Sequence, residues 1–107
     1  MLLRQLLLIS VTGVILCTPA LLSAADNKAA AQRLIEALGC KGCHKLAGDG
    51  ATLAPALDEI GSRMTREQIS THLVKHTEDQ LNGFMPKYNT TPKKELDLLS
   101  DYLYNLQ

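Results

Sequence analysis

Large aromatic side chains are nearly missing from this chain. It has no tryptophan and one phenylalanine in 107 residues, and aromatics make up 4% of the whole. A core built on aromatic packing is therefore excluded, and a domain this short is marginal without a staple of some kind. Net charge is missing too, with 11 basic residues against 11 acidic ones. That balance gives no basic patch and so no case for nucleic-acid binding. No stretch alternates apolar and polar residues as a half-buried strand does, and there is no internal repeat or low-complexity segment.

What is present begins with a segment unlike the rest. Arg4 is the only charge before Asp26, Leu6 to Leu16 is almost continuously apolar, and Pro19 interrupts the run. Ser23-Ala24-Ala25 then offers the small residues of a cleavage site, which completes the layout of a secretory signal peptide. The reading divides the chain into a cleaved segment, 1–25, and a mature domain, 26–107, of 82 residues. The alternative is an uncleaved anchor, because the 21 uncharged residues from Gln5 to Ala25 are about enough to span ~30 Å of hydrocarbon. Cys17 follows Leu16 rather than a small residue, which argues against lipid attachment. It is an apolar member of the run.

The remainder has the periodicity of helices separated by loops. Asp26 or Asn27 can cap a first helix to about Leu38, with Ala30, Leu34, Ile35 and Leu38 on one face and Gly39 as its stop. Pro55 opens a short helical turn with Leu57 and Ile60, ended by Gly61. Thr65-Arg66-Glu67-Gln68 is a capping box starting a helix to about His76. Residues 77–90 lack periodicity and form a long loop of the kind that often carries function. Thr91 caps the last helix, with Pro92 at its first position and Leu96, Leu99, Leu103 and Leu106 as one stripe beside Tyr102.

Between the first helix and the Gly-rich stretch Gly48-Asp49-Gly50 stands Cys40-Lys41-Gly42-Cys43-His44. Two thiols one helical turn apart can each bond a vinyl group of haem, and the imidazole beside the second reaches the iron as proximal ligand. A redox Cys-x-x-Cys in a thioredoxin-like fold would need a βαβ pattern and more length. One covalent haem c would also supply the staple that the aromatic-poor core lacks. The distal candidates are Met85, Met64, His72 and His76. Met85 leads because it sits in the long loop with Pro86 stiffening the chain next to its sulfur. Met64 lies in a polar stretch and is placed at the surface. Cys40, Cys43, His72 and His76 also form a Cys2His2 pattern for zinc, but the gap between the pairs is about twice the usual ~12–15 residues and His44 would have no role. Pro55 offers a carbonyl that can accept the second ring N–H of His44 if the loop folds back.

In these features the chain resembles small monohaem class I cytochromes c of exported bacterial type, over about Asn27 to Leu106. The resemblance rests on the first helix running into the Cys40–His44 motif, on Pro55, on Met85-Pro86 and on the last helix with Tyr102. It implies an all-α fold of about four helices and loops around one covalently bound haem c, with the first and last helices crossing beside it. It implies His44 and Met85 as axial ligands and the Pro55 carbonyl bonded to His44. It further implies a donor near the Met85 sulfur, for which Tyr88 and Asn89 are the candidates. The first helix departs from the family in offering no aromatic at the crossing. The function that follows is single-electron transfer between redox proteins in the periplasm, without catalysis. Lys41, Lys45 and Lys87 are placed to steer an acidic partner. Membrane contact would come only through an uncleaved N-terminal segment, facing the periplasm from the inner membrane, or through a membrane-bound redox complex. The rivals are a five-coordinate haem enzyme or gas sensor and the Cys2His2 zinc module.

Overall fold

The computed structural model describes residue 13 and residues 19–75 and 85–107. The described part has four α-helices, α1 (Pro19–Ala37), α2 (Ile60–Arg63), α3 (Arg66–Val74) and α4 (Lys93–Tyr104), and one 3₁₀ turn at Cys40–Gly42. It has no strand, only isolated bridges between His44 and Ala54 and between Leu46 and Asp49. The all-α expectation is met. Cys17, His76 and residues 77–84 of the long loop lie outside the described residues. No described helix is long and apolar enough to cross a membrane.

α1 starts at Pro19 rather than at a cap on Asp26 or Asn27. Nothing between Pro19 and Gly39 breaks a helix, and the alanines at 24, 25 and 29–31 favour one strongly. Proline suits the first turn, where its missing N–H would have no intrahelical partner. At the other end Gly39 takes the left-handed conformation, φ 73°, which ends helices at low cost for glycine.

α4 is the helix on which α1, α2 and α3 all pack. Its stripe of Leu96, Leu99 and Leu103 is buried, and Leu106, past the helix end, is half-buried against the same core. Ile35 of α1, Leu46, Ile69 and Leu73 of α3, and Tyr88 complete that cluster. Ala31 on α1 and Ser100 on α4 are both fully buried, and small side chains on two packed helices let their axes approach. The Ser100 hydroxyl donates to the Leu96 carbonyl at 2.7 Å, so this buried polar group is satisfied within its own helix. Tyr102 supplies an aromatic from α4 where α1 has none, with Gln32 donating to its hydroxyl at 3.5 Å.

The capping box forms in full. Gln68 N–H donates to Thr65 Oγ1 at 3.2 Å, and Thr65 N–H donates to Gln68 Oε1 at 2.8 Å. α3 ends at Val74, because Lys75 turns extended. The Arg66 guanidinium pairs with Asp101, linking α3 to α4 at the surface, where such pairs add little. Two further expected boundaries move. Thr91 makes no cap, because Pro92 is itself the boundary residue, with ψ 141° and a carbonyl accepting from Glu95 and Leu96 at 3.0 and 3.1 Å.

Gly61 is no stop signal either; it lies inside α2. Its N–H donates to the Leu106 carbonyl at 2.8 Å, and a Cβ there would stand 1.8 Å from the Tyr104 carbonyl oxygen. Glycine is required by the close approach of the α4 C-terminus. Gly61→Ala should therefore cost about 1–3 kcal/mol of stability, as overpacking does, measured by thermal unfolding. Ser62→Ala, at an exposed neighbour, should stay within about 0.5 kcal/mol of the parent.

Candidate functional site

The Cys40–His44 motif is wound into a single tight turn. Gly42 N–H donates to Gly39 at 3.0 Å, Cys43 N–H to Cys40 at 3.3 Å and His44 N–H to Cys40 at 2.9 Å. Both cysteines are free thiols and half-buried, and Cys40 packs against the hydrophobic core. Burial pushes the Cys40 thiol up from its ordinary value, and the neighbouring Tyr88 hydroxyl pulls partly the other way.

The loop after the motif is laced back onto it through the backbone. The carbonyls of Lys41, Cys43 and Lys45 accept from the N–H groups of Ala51, Ala54 and Leu57 at 3.0, 2.9 and 2.9 Å. The reversal is made by a tight turn in which Leu46 and Asp49 exchange hydrogen bonds of 2.7 and 3.0 Å. Ala47 and Gly48 occupy its centre with φ 51° and 79°, the signs a mirror-image hairpin turn demands. Alanine pays a penalty there, of order 1–3 kcal/mol, and the Asp58 carboxylate accepts the Ala47 N–H at 2.8 Å.

This lacing brings the Pro55 carbonyl to the His44 ring, with Nδ1 2.6 Å from the oxygen. A carbonyl can only accept, so Nδ1 carries a proton, and in the neutral ring the lone pair is on Nε2. The backbone therefore fixes both the tautomer and the ring orientation, which is what a metal-binding histidine needs from its partner group.

Met85 is half-buried against the same core cluster as Cys40, and Pro86 after it is exposed. Met64 is not a surface residue. It is half-buried against the core at the end of α2, where the chain turns extended, so its thioether is used in packing. His72 is half-buried on α3. Among the described residues no three His, Cys, Asp or Glu side chains converge as metal ligands would, so the zinc pattern gains no support from them. Of the sequence candidates, then, Cys40, Cys43, His44 and Pro55 are assembled by local backbone, and Met85 joins them only through the common core.

Lys41, one of the lysines placed to steer an acidic partner, is paired within the molecule. Its ammonium lies 2.7 Å from Glu36 and 3.2 Å from Asp49, and these carboxylates raise its pKa. With its charge matched within the molecule, it has less to offer an acidic partner than the exposed Lys45 and Lys87. Gly50 was not singled out for its position by sequence reasoning, and Tyr88 was named there only as a candidate donor to the Met85 sulfur. Only the Gly48-Asp49-Gly50 cluster hinted at a tight turn.

Comparison with protein families matches the Cytochrome c family over residues 28–107. The chain belongs to the cytochrome c family. Comparisons with curated proteins and with solved structures gave no significant match. Family membership carries haem c as cofactor, electron transfer as function and redox proteins as partners. The donor set of this cytochrome fits that group: two free thiols one turn apart, and beside them an imidazole whose Nδ1 is taken by a backbone carbonyl, leaving Nε2 as the nitrogen for a metal.

Gly50 is the position where this arrangement is most exposed to a single change. It has φ 109°, and a Cβ would stand 2.4 Å from the His44 carbonyl oxygen and 3.1 Å from that of Lys41. Gly48 also has positive φ but meets nothing. Gly50→Ala should thus lose about 1–3 kcal/mol more in thermal unfolding than Gly48→Ala, since overpacking is added to backbone strain.

Proposed function

We propose that the mature chain, residues 26–107, is an electron carrier. One haem c is bonded to Cys40 and Cys43 and held at its iron by His44 and Met85, and single electrons pass between redox proteins in the periplasm. The observation that carries the reading is the 2.6 Å contact of His44 Nδ1 with the Pro55 carbonyl, which leaves Nε2 as a ready ligand next to the two attachment thiols. When bound, the haem supplies a one-electron couple at its iron. The protein's part is to hold it. Cys40 and Cys43 fix the group to the turn, His44 is oriented by the loop, and Met85 is offered from a segment stiffened by Pro86.

With both axial positions taken by side chains, no open site remains for a substrate, and the protein is not an enzyme. His/Met ligation favours a higher potential than two histidines would give. Partners meet it briefly and over a small area, as redox encounters do. Lys45 and Lys87 supply exposed positive charge, which would speed encounter with an acidic partner at low salt. The N-terminal 25 residues act as a signal peptide. Cleavage takes place on the chain as it is exported unfolded, so the helical backbone across Ala25–Asp26 does not oppose it.

Denaturing mass spectrometry of protein exported from cells able to assemble haem c should give a chain starting at Asp26 plus one haem. A mass of apoprotein would overturn the proposal, and a chain starting at Met1 in the membrane fraction would show an anchor instead. The oxidised optical spectrum should carry the band at the red end typical of methionine–iron(III) ligation, and its absence would favour the five-coordinate reading.

Replacement of Met85 separates ligation from folding. Met85→His should keep a six-coordinate iron and lower the potential by on the order of 0.1 V, within the ≈0.8 V that axial ligands span. Met85→Ala should open the sixth position and speed cyanide binding while leaving the helical circular dichroism in place. His72→Ala and His76→Ala should leave the spectrum as it is. Loss of the low-spin spectrum in a histidine variant but not in Met85→Ala would reassign the ligand.

A further inference from the structure

Tyr88 stands three residues after Met85 and is buried, 8% exposed, within the core cluster. Two hydrogen bonds fix it from different directions. Its N–H donates to the Leu73 carbonyl, in the last turn of α3, at 2.9 Å. Its hydroxyl donates to the Leu38 carbonyl, just past α1, at 3.2 Å. Leu38 is two residues before Cys40, and the Tyr88 hydroxyl is also a neighbour of the Cys40 sulfur. The Tyr88 carbonyl accepts from Thr91 at 3.2 Å, which ties the same residue to the start of α4.

A phenol has one proton to give. The acceptors beside it are the Leu38 carbonyl, at 3.2 Å, and the neighbouring Cys40 sulfur; both belong to the end of α1 and the turn after it, and neither is the sulfur of Met85. A phenylalanine would fill the ring's volume equally well, and the hydroxyl must therefore be explained by what it holds. It joins the segment that bears Met85 to the segment that bears the first attachment cysteine, across fifty positions of sequence. In between stand only Pro86, with its restricted backbone, and Lys87. The position of Met85 relative to Cys40 is thus set through a short, stiff path: Met85-Pro86-Lys87-Tyr88, one hydrogen bond, then Leu38-Gly39-Cys40.

We propose that Tyr88 is a positioning residue for the distal ligand: its hydroxyl clamps the Met85 segment to the end of α1 beside Cys40, so that the thioether stays where the iron needs it. This rests on the His44/Met85 reading of the haem. A ligand held on a loop is only as well placed as the groups that support it. Without the clamp, the Met85 segment is free to open locally while the helices stay folded.

The test is Tyr88→Phe in the exported holoprotein, followed by stopped-flow cyanide binding to the oxidised form and by the methionine–iron(III) band during heating. Cyanide should bind about fivefold faster, the factor corresponding to one lost neutral hydrogen bond. The band should fade at a lower temperature than in the parent, and helical circular dichroism should be retained. Tyr102→Phe, which removes a hydroxyl on the α1–α4 side, should change neither. A parent spectrum without the band would overturn the ligation reading and the clamp with it. A parent with the band and a Tyr88→Phe variant with unchanged cyanide rate and band would overturn the clamp alone. Amide hydrogen exchange on the reduced parent needs no variant. Tyr88 N–H should be protected like the amides of α4, and exchange at the rate of an open loop would overturn the clamp.

Discussion

The backbone reversal after the Cys40–His44 turn is the constraint on which the rest of the site depends. Three alternate carbonyls, of Lys41, Cys43 and Lys45, are each matched by an N–H from residues 51–57. Peptide groups must be paired when removed from water, and here the pairing also shapes the candidate site. It sets the Pro55 carbonyl against His44, so the proton on the ring is dictated by the main chain. Proline at 55 has no N–H to contribute to the lacing, and its carbonyl is what the site uses.

The helices give this loop a frame despite the shortage of aromatic bulk. α4 collects the other three helices and does so with leucines and one buried serine. Where a larger core would use wide side chains to fill space, this one uses close approach. Ala31, Gly61 and Ser100 stand at contacts that larger residues would push apart. A chain of this kind has little surplus stability. A large apolar group bonded to Cys40 and Cys43 would extend the core from the side where Cys40, Tyr88 and Met85 already pack against it.

Charge plays a smaller part. The visible ion pairs lie at the surface, and their value for stability is modest. Their interest is in what they remove from the electrostatic face of the molecule. Lys41 is tied to Glu36 and Asp49, and Lys93 is tied to Asp97 at 2.6 Å. Both pairs take positive charge out of use, leaving Lys45 and Lys87 as cations near the proposed haem-bearing segments.

The sequence by itself determined the helical class, the tight Cys40–His44 turn and the capping box, because each is a short-range pattern. Two cysteines and a histidine within five residues have almost the same geometry in any fold, and Thr65 with Gln68 satisfies its own helix end. Helix limits that depend on a neighbour were not legible. Gly61 looks like a stop until the carbonyl of Tyr104 is seen lying against it. Met64 sits among polar residues in sequence and turns inward in space. Tyr88, with Asn89, was a candidate donor to the Met85 sulfur through the family resemblance, yet its hydroxyl bonds Leu38, fifty residues away. Only the tertiary structure decided these, because a close approach or a hydrogen bond between distant segments leaves no periodicity in the sequence.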